Sequence, residues 1–209
     1  MTAGALGALV LAAGGSTRLG HAKQLVVHEG RALVVRAVDA ARDAGTDPVV
    51  VVLGAEADAV NAVLTDPSVV RVVNPRWAEG VGTSLAEGLR AIVERAPRVH
   101  GVLIALADQP LVERASLDRL ITAWRAADRV APSRGGRMTI AAAAYAGTVG
   151  VPAIFGRAHF DALRALPPAS GASALLRAAG APVVQVAMPE AAMDVDTPDD
   201  LARLRAPAA

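Results

Sequence analysis

The 209-residue sequence has no cysteine, few aromatic residues and almost no net charge. The absence of cysteine excludes disulfides, thiolate metal sites and cysteine nucleophiles, and it fits a reducing compartment. The 21 basic and 20 acidic residues give a net charge of +1 without long runs of like charge, so we expect no nucleic-acid partner. The four histidines lack the spacing of metal ligands.

The first apolar segment, residues 4–13, is not preceded by a basic region. It is also shorter than the roughly 20 residues that a membrane-spanning helix needs. We therefore interpret it as a strand, and we expect a cytoplasmic protein that does not bind membranes.

Short apolar runs alternate with amphipathic segments, which is the pattern of strands and crossover helices in a parallel sheet. The predicted strands are Leu6–Ala13, Pro48–Leu53, Val69–Val73, Gly101–Leu106, Ile140–Tyr145, Pro152–Phe155 and Val183–Ala187. The predicted helices are Ala32–Ala44, Glu56–Leu64, Ser84–Ala96, Ser116–Ala127, Arg157–Leu166, Gly171–Ala179 and one that Thr197 caps. We predict one α/β domain over residues 1–209, with a mobile loop at 133–137 and with residues 129–150 lying over the sheet.

A glycine-rich turn, residues 11–20, follows the first predicted strand. Its glycines allow the backbone to approach a phosphate group, and Arg18 and Lys23 add two cations that match a triphosphate. The turn lacks both the lysine spacing of a Walker A loop and the glycine order of a dinucleotide fingerprint. An ordinary glycine turn with solvated cations is the alternative.

Three aspartates are candidate metal ligands. Asp108 ends an apolar strand at the sheet edge where the glycine turn lies, and Mg²⁺ prefers one or two carboxylates together with phosphates. Asp194 and Asp196, two residues apart, face the same side of an extended segment. The alternatives are that Asp108 caps the following helix and that Asp196 caps the last one. For that last helix, Thr197 and Asp200 have capping-box spacing.

The segment Leu11–Leu25, with Asp108-Gln109-Pro110 and the Asp-x-Asp-Thr-Pro motif at 194–198, resembles the MobA/MocA-like NTP transferases, especially the molybdenum cofactor cytidylyltransferases. The resemblance implies a single Rossmann-like three-layer α/β domain with a mostly parallel sheet. It also implies Mg²⁺ as cofactor and transfer of a nucleoside monophosphate to a phosphorylated acceptor, with molybdopterin as one candidate and a molybdoenzyme as a partner. The Ala12-Ala13 pair favours CTP as the nucleotide.

The same resemblance implies roles for individual residues. Arg18, Lys23 and Asp108 are the expected catalytic residues, and Asp108, Asp196 and Asp194 the expected metal site, with Asp194 in support. The expected nucleotide-binding residues are Leu11, Ala12, Ala13, Gly14, Gly15, Ser16, Arg18, Lys23, Asn74, Gly82, Thr83 and Ser84. Free N–H groups of Gly82 and Thr83 are expected at a helix start. Trp77 suits the core as well as the site.

Two segments depart from the cytidylyltransferase pattern. Gly150-Val151-Pro152 stands where those enzymes show Gly-His-Pro, and residues 168–173 lack the Gly-Asp-x-Gly-Ala-Arg motif. An acid and a base are thus missing from the acceptor side, which weakens the case for molybdopterin. The open alternatives are another phospho-metabolite acceptor, a nucleotide-binding partner without turnover, and a glycosyltransferase that uses Asp194-x-Asp196.

Overall fold

A computed structural model describes residues 5–130, 139–178 and 183–206, so the predicted loop at 133–137 lies outside the described residues. The strands are β1 (Leu6–Ala12), β2 (Val27–His28), β3 (Arg31–Ala32), β4 (Val49–Leu53), β5 (Val70–Val73), β6 (Gly101–Leu106), β7 (Ile140–Tyr145), β8 (Thr148–Gly156) and β9 (Val183–Ala187). The helices are α1 (Leu33–Asp43), α2 (Ala57–Val63), α3 (Val81–Arg95), α4 (Arg114–Val130), α5 (Phe160–Arg164), α6 (Ser173–Ala178) and α7 (Pro198–Arg205). None of the helices described is long and apolar enough to cross a bilayer.

Seven strands form one sheet in the order β5-β4-β1-β6-β8-β7-β9, and β2 and β3 form a separate short hairpin. Within the seven-stranded sheet only β8 runs against the others, because it pairs antiparallel with both β6 and β7. The carboxyl ends of β1, β6, β7 and β9 therefore meet at one edge, together with the start of β8. Ligands of open α/β sheets bind at such an edge.

Helices cover both faces of the sheet. On one face α1 and α4 pack Val34, Val38, Leu120 and other apolar side chains against the strands. On the other face α3 and α5 do the same through Leu89, Phe160 and their neighbours. This three-layer, mostly parallel arrangement confirms the predicted fold class.

The main difference from the sequence-based expectation concerns residues after α4. The segment 129–150 was expected over the sheet, and this is wrong for its described second half, because β7 and the first residues of β8 are strands within the sheet. The predicted strand Pro152–Phe155 is longer at its beginning, where Thr148 and Gly150 give no apolar signal. Two-residue strands such as β2 and β3 are too short to show a periodicity.

Close contact between α3 and the sheet depends on Gly88, at the middle of the helix. A Cβ atom at this position would collide with Leu9 Cδ1 and would lie 2.7 Å from Val52 Cγ2. Leu9 and Val52 are both buried. The missing side chain therefore lets α3 approach β1 and β4, which places the start of the helix beside the sheet edge.

We predict that Gly88→Ala lowers the free energy of unfolding by about 1–3 kcal/mol, the usual cost of adding a methyl group to a filled core. At an exposed helical position the same change would stabilise the protein by about 1 kcal/mol. Urea denaturation followed by circular dichroism measures the difference. The neighbouring control Glu87→Ala should shift stability by about 0.5 kcal/mol or less. Unchanged stability of Gly88→Ala would contradict the close packing of α3.

Candidate active site

The glycine loop follows β1 and is fastened by Gln24. This side chain is 2% exposed, and its Nε2 donates hydrogen bonds to the carbonyl oxygens of Ala12 (3.0 Å) and Gly14 (2.8 Å). Ser16 has a φ of 48°, and its hydroxyl accepts a hydrogen bond from the Lys23 N–H (3.0 Å). Within the described part of the chain, the N–H groups of residues 14–18 donate no hydrogen bond. Such a row of free donors suits an anion.

The Lys23 ammonium joins the two predicted acidic positions. It forms ion pairs with Asp108 Oδ2 and with Asp196 Oδ1, the second at 2.7 Å. Arg18 donates to the other oxygen of Asp196, also at 2.7 Å. Four predicted site residues from three distant segments thus form one cluster at the sheet edge.

Backbone contacts hold the two acidic segments together. Asp108 lies two residues beyond the end of β6, and its carbonyl oxygen accepts a hydrogen bond of 2.9 Å from the Val195 N–H. The next turn is fixed by Asp200, whose carboxylate accepts hydrogen bonds from the N–H groups of Asp196 (3.1 Å) and Thr197 (2.8 Å). The capping box of Thr197 and Asp200 is therefore confirmed. The carboxylates of Asp108 and Asp196 point to Lys23 and do not cap helices.

Burial and charge set the ionisation of the cluster. Burial works against the charge on Lys23, but the ion pairs with Asp108 and Asp196 outweigh it and raise the lysine pKa. The hydrogen bond from Lys23 lowers the pKa of Asp196. Asp194 differs: the protein atoms around its carboxylate, together with the negative charges of Asp108 and Asp196, raise its pKa to about 6. The cluster thus has two carboxylates matched by two cations and a third that ionises less readily.

The carboxylates fit a hard divalent cation such as Mg²⁺. Asp108 Oδ1 is buried and has no hydrogen-bond partner in the described structure, so a good oxygen ligand remains unused. In residues 5–130, 139–178 and 183–206 no group of three acidic, histidine or cysteine side chains could hold a metal by itself. Two carboxylates without a full protein cage suit Mg²⁺, which usually completes its shell with water and substrate phosphates.

A cavity of about 200 Å³ lies beside this cluster. It is lined by Leu11, Ala13, Gly14, Lys23, Gln24, Trp77, Val81, Ser84, Leu106, Ala107 and Asp108. Trp77 is 36% exposed, and its ring lies against Gly15, where a Cβ atom would come within 3.1 Å of it. Trp77 is therefore a wall of the cavity and not part of the core.

Part of the predicted nucleotide-binding set also has structural contacts. Asn74 is fully buried and donates hydrogen bonds to the hydroxyls of Thr83 (2.8 Å) and Ser84 (3.0 Å). The Gly82 N–H donates to Pro168 O (2.8 Å), and the Thr83 N–H donates to Gly80 O (3.2 Å). The expectation of free N–H groups at Gly82 and Thr83 is therefore wrong, because the preceding turn and the 167–168 segment use them.

Two more residues near the site, in addition to Gln24, were given no role from the sequence. Gln109 is buried, and its Nε2 donates to Val151 O (3.2 Å) and Ala191 O (2.9 Å), which ties β8 and the 189–192 turn to the Asp108 strand end. Tyr145, the sole tyrosine of the chain, donates to Val151 O (3.1 Å). Its hydroxyl leaves no room for a side chain at Gly150. In the sequence, the position of Gln109 within the Asp-Gln-Pro motif and the presence of a single tyrosine were the features that could have pointed to these two residues.

A second cavity, of about 790 Å³, opens at the same sheet edge beyond β7, β8 and β9. Tyr145, Thr148, Arg177 and Gln185 supply its polar lining, and none of the described residues that line it is acidic. Of the two departures from the family pattern, only Gly150–Pro152 borders this side. The 168–173 segment lies against the start of α3, where the Pro168 carbonyl contacts Gly82.

Transfer of a nucleotidyl group from a triphosphate requires that the phosphates be positioned and their negative charge neutralised. The glycine loop, the two cations and the paired carboxylates at this sheet edge can do both, as in a nucleotidyltransferase site. Residues 8–183 match the family model of the MobA-like NTP transferase domain, and the chain belongs to this family. The resemblance identified from the sequence is therefore confirmed, and the chain is a nucleotidyltransferase.

Two relatives of similar sequence carry different names. Nicotine blue oxidoreductase of Paenarthrobacter nicotinovorans is 35% identical over 152 residues, which cover 72% of this chain and 67% of that protein. The bifunctional protein GlmU of Cutibacterium acnes is 34% identical over 122 residues, or 56% of this chain. The match covers 28% of GlmU, so the chain corresponds to less than a third of that protein.

Among solved structures, Rv0371c of Mycobacterium tuberculosis superimposes with a TM-score of 0.77 at 34% identity. The match covers 97% of this chain and 98% of that one. A manganese complex of Rv0371c superimposes with a TM-score of 0.73 at 32% identity and the same coverage. The architecture described here is thus shared along nearly the whole length of both chains.

We predict that Asp194→Asn stabilises the protein at pH 7.5 and has no effect near pH 3.5. Folding raises the pKa of Asp194 from its usual 3.8 to about 6, so the folded state holds an extra proton between these values and loses stability as the pH rises through them. The amide removes that loss. Since Asp194 is exposed and solvent screens its charge, we expect at most about 1 kcal/mol, or about 2–4 °C in Tm.

Thermal unfolding at both pH values measures this effect. Asp118→Asn, which alters a surface ion pair with Arg114, is the matched control and should show no such pH-dependent gain. A destabilised Asp194→Asn at pH 7.5 would contradict the unfavourable ionisation of Asp194.

Proposed function

We propose that this protein transfers CMP from CTP to a phosphorylated small molecule and releases pyrophosphate, with Mg²⁺ as cofactor. The observation that carries the proposal is the convergence of Lys23, Arg18, Asp108 and Asp196 beside a loop with free N–H groups. The preference for CTP rests on the Ala12-Ala13 pair of the family motif. Manganese bound to the relative Rv0371c supports a divalent metal.

In this proposal the triphosphate lies along the glycine loop. The N–H groups of residues 14–18 and the cations of Arg18 and Lys23 bind the β- and γ-phosphate oxygens. The base and ribose occupy the first cavity, whose wall includes Trp77 and Ser84. Asp108 and Asp196 would hold Mg²⁺, which when bound neutralises charge on the phosphates and helps to orient them.

The acceptor would enter from the second cavity, because it lies across the aspartates from the first one along the same edge. An acceptor phosphate oxygen attacks the α-phosphorus in line. The new phosphorus–oxygen bond forms as the bond to the β-phosphate oxygen breaks, and pyrophosphate leaves with the electron pair. An ionised phosphate needs no general base, so positioning and charge neutralisation supply the catalysis.

The chemistry of the second cavity limits the acceptor class. Among the lining residues that the structure describes, Arg177 is charged, and Tyr145, Thr148 and Gln185 are neutral hydrogen-bonding groups. Val151 supplies no base near Tyr145, where the molybdopterin enzymes have histidine. The acceptor panel should therefore include molybdopterin together with simpler phosphorylated metabolites and sugar phosphates.

We predict that CTP with Mg²⁺ supports pyrophosphate release with one acceptor of this panel, faster than ATP, GTP or UTP. Asp108→Asn should slow release by about a hundredfold or more, since it removes a carboxylate on which charge neutralisation depends. A coupled pyrophosphate assay measures the rates. Glu94→Gln, a surface change on α3, is the control and should retain the wild-type rate.

Three results would contradict the proposal. Near-normal turnover of Asp108→Asn would remove that residue from the mechanism. Nucleotide binding without pyrophosphate release across the panel would indicate a non-catalytic partner, for example of a molybdoenzyme. Reduction or oxidation of a substrate without any pyrophosphate release would favour the activity named for the Paenarthrobacter relative.

A further inference from the structure

The carboxylate oxygens of Asp108 and Asp196 are mostly occupied by cationic side chains. Lys23 takes one oxygen from each aspartate, and Arg18 takes the second oxygen of Asp196. The remaining oxygen, Asp108 Oδ1, is buried and unpaired in the described structure. A divalent cation that needs both carboxylates would therefore have to displace the Lys23 ammonium.

The charge balance leads to the same conclusion. Asp108, Asp196 and the neighbouring Asp194 face one ammonium and one guanidinium, so even with all three carboxylates ionised a divalent cation would leave a surplus of one positive charge in a partly buried site. A triphosphate brings enough negative charge to compensate both the metal and the released lysine. Metal and nucleotide are thus expected to bind favourably together and the metal poorly alone.

Lys23 can reach both positions from its place in the chain. It begins the short turn Lys23–Leu25 that closes the glycine loop, and a Cβ atom at Gly14 would lie 4.0 Å from Lys23 Cε. The flexible four-carbon stem of lysine lets its ammonium rotate between neighbouring anions. Since the stem already passes the loop, a modest rotation would move the ammonium from the carboxylates to a phosphate held there.

We propose that Lys23 and the divalent metal compete for Asp108 and Asp196, so that the metal enters when a triphosphate draws the Lys23 ammonium away. This inference rests on the proposed metal-dependent transfer of CMP from CTP and adds an order of events to it. Lys23 then links the two ligands, and by thermodynamic reciprocity the metal strengthens nucleotide binding by the factor with which the nucleotide strengthens metal binding.

The test measures Mn²⁺ binding to the full chain without nucleotide, from the electron paramagnetic resonance signal of free Mn²⁺. Lys23→Met removes the charge and keeps most of the stem, and it should lower the Kd for Mn²⁺ at least tenfold relative to wild type. Lys23→Arg keeps the charge and should bind Mn²⁺ as weakly as wild type. Arg90→Met is a second control: it removes an exposed cation of α3 that pairs with Glu87 and Glu94, so it should change the Kd less than threefold.

The gain in Mn²⁺ affinity of Lys23→Met should vanish in the double variant that also carries Asp108→Asn. This loss would show that the added Mn²⁺ binds at these carboxylates. If Lys23→Met fails to fold by circular dichroism, Lys23→Gln replaces it. Mn²⁺ binding by the folded uncharged variant that is equal to or weaker than wild type would overturn the proposal. Because this measurement needs no turnover, such a result would not affect the test of pyrophosphate release by the wild-type enzyme. Likewise, a failure to detect pyrophosphate release would not change the measured Mn²⁺ affinities.

Discussion

The contact of one ammonium group with two carboxylates joins the three parts of this site. Lys23 comes from the loop after β1, Asp108 from the end of β6 and Asp196 from the segment before α7. Unlike charges that are partly removed from water attract each other strongly, but each would be costly to leave unpaired. The packing of the sheet edge must therefore keep all three together, and much of the surrounding structure can be understood as serving this requirement.

Several buried polar groups meet that requirement through contacts with the backbone. Gln24 ties the glycine loop to the end of β1, and Gln109 ties the end of β6 to β8 and to the 189–192 turn. Asp200 holds the backbone of Asp196 and Thr197. These are hydrogen bonds between side chains and backbone, so they fix loop positions, which apolar packing alone does not specify. The charged groups consequently stand on backbone segments that hydrogen bonds hold in place.

The sequence predicted the sheet and the charged cluster well because their signals are local. Buried parallel strands are continuous apolar runs, and a carboxylate after such a run must lie at the carboxyl edge, as Asp108 does. The roles of Gln24, Gln109 and Tyr145 depend on partners up to 82 residues away, which no periodicity reveals. The bonding of the Gly82 N–H to Pro168 was equally hidden, since it depends on where the 167–168 segment folds back.

A crystal structure with Mn²⁺ and a CTP analogue whose α,β-bridge is a methylene group tests the central claim most directly. The account predicts an anomalous manganese peak between the carboxylates of Asp108 and Asp196, with the triphosphate along residues 14–18 and Lys23 Nζ on a phosphate oxygen. A manganese peak elsewhere, or a triphosphate bound away from the glycine loop, would contradict it.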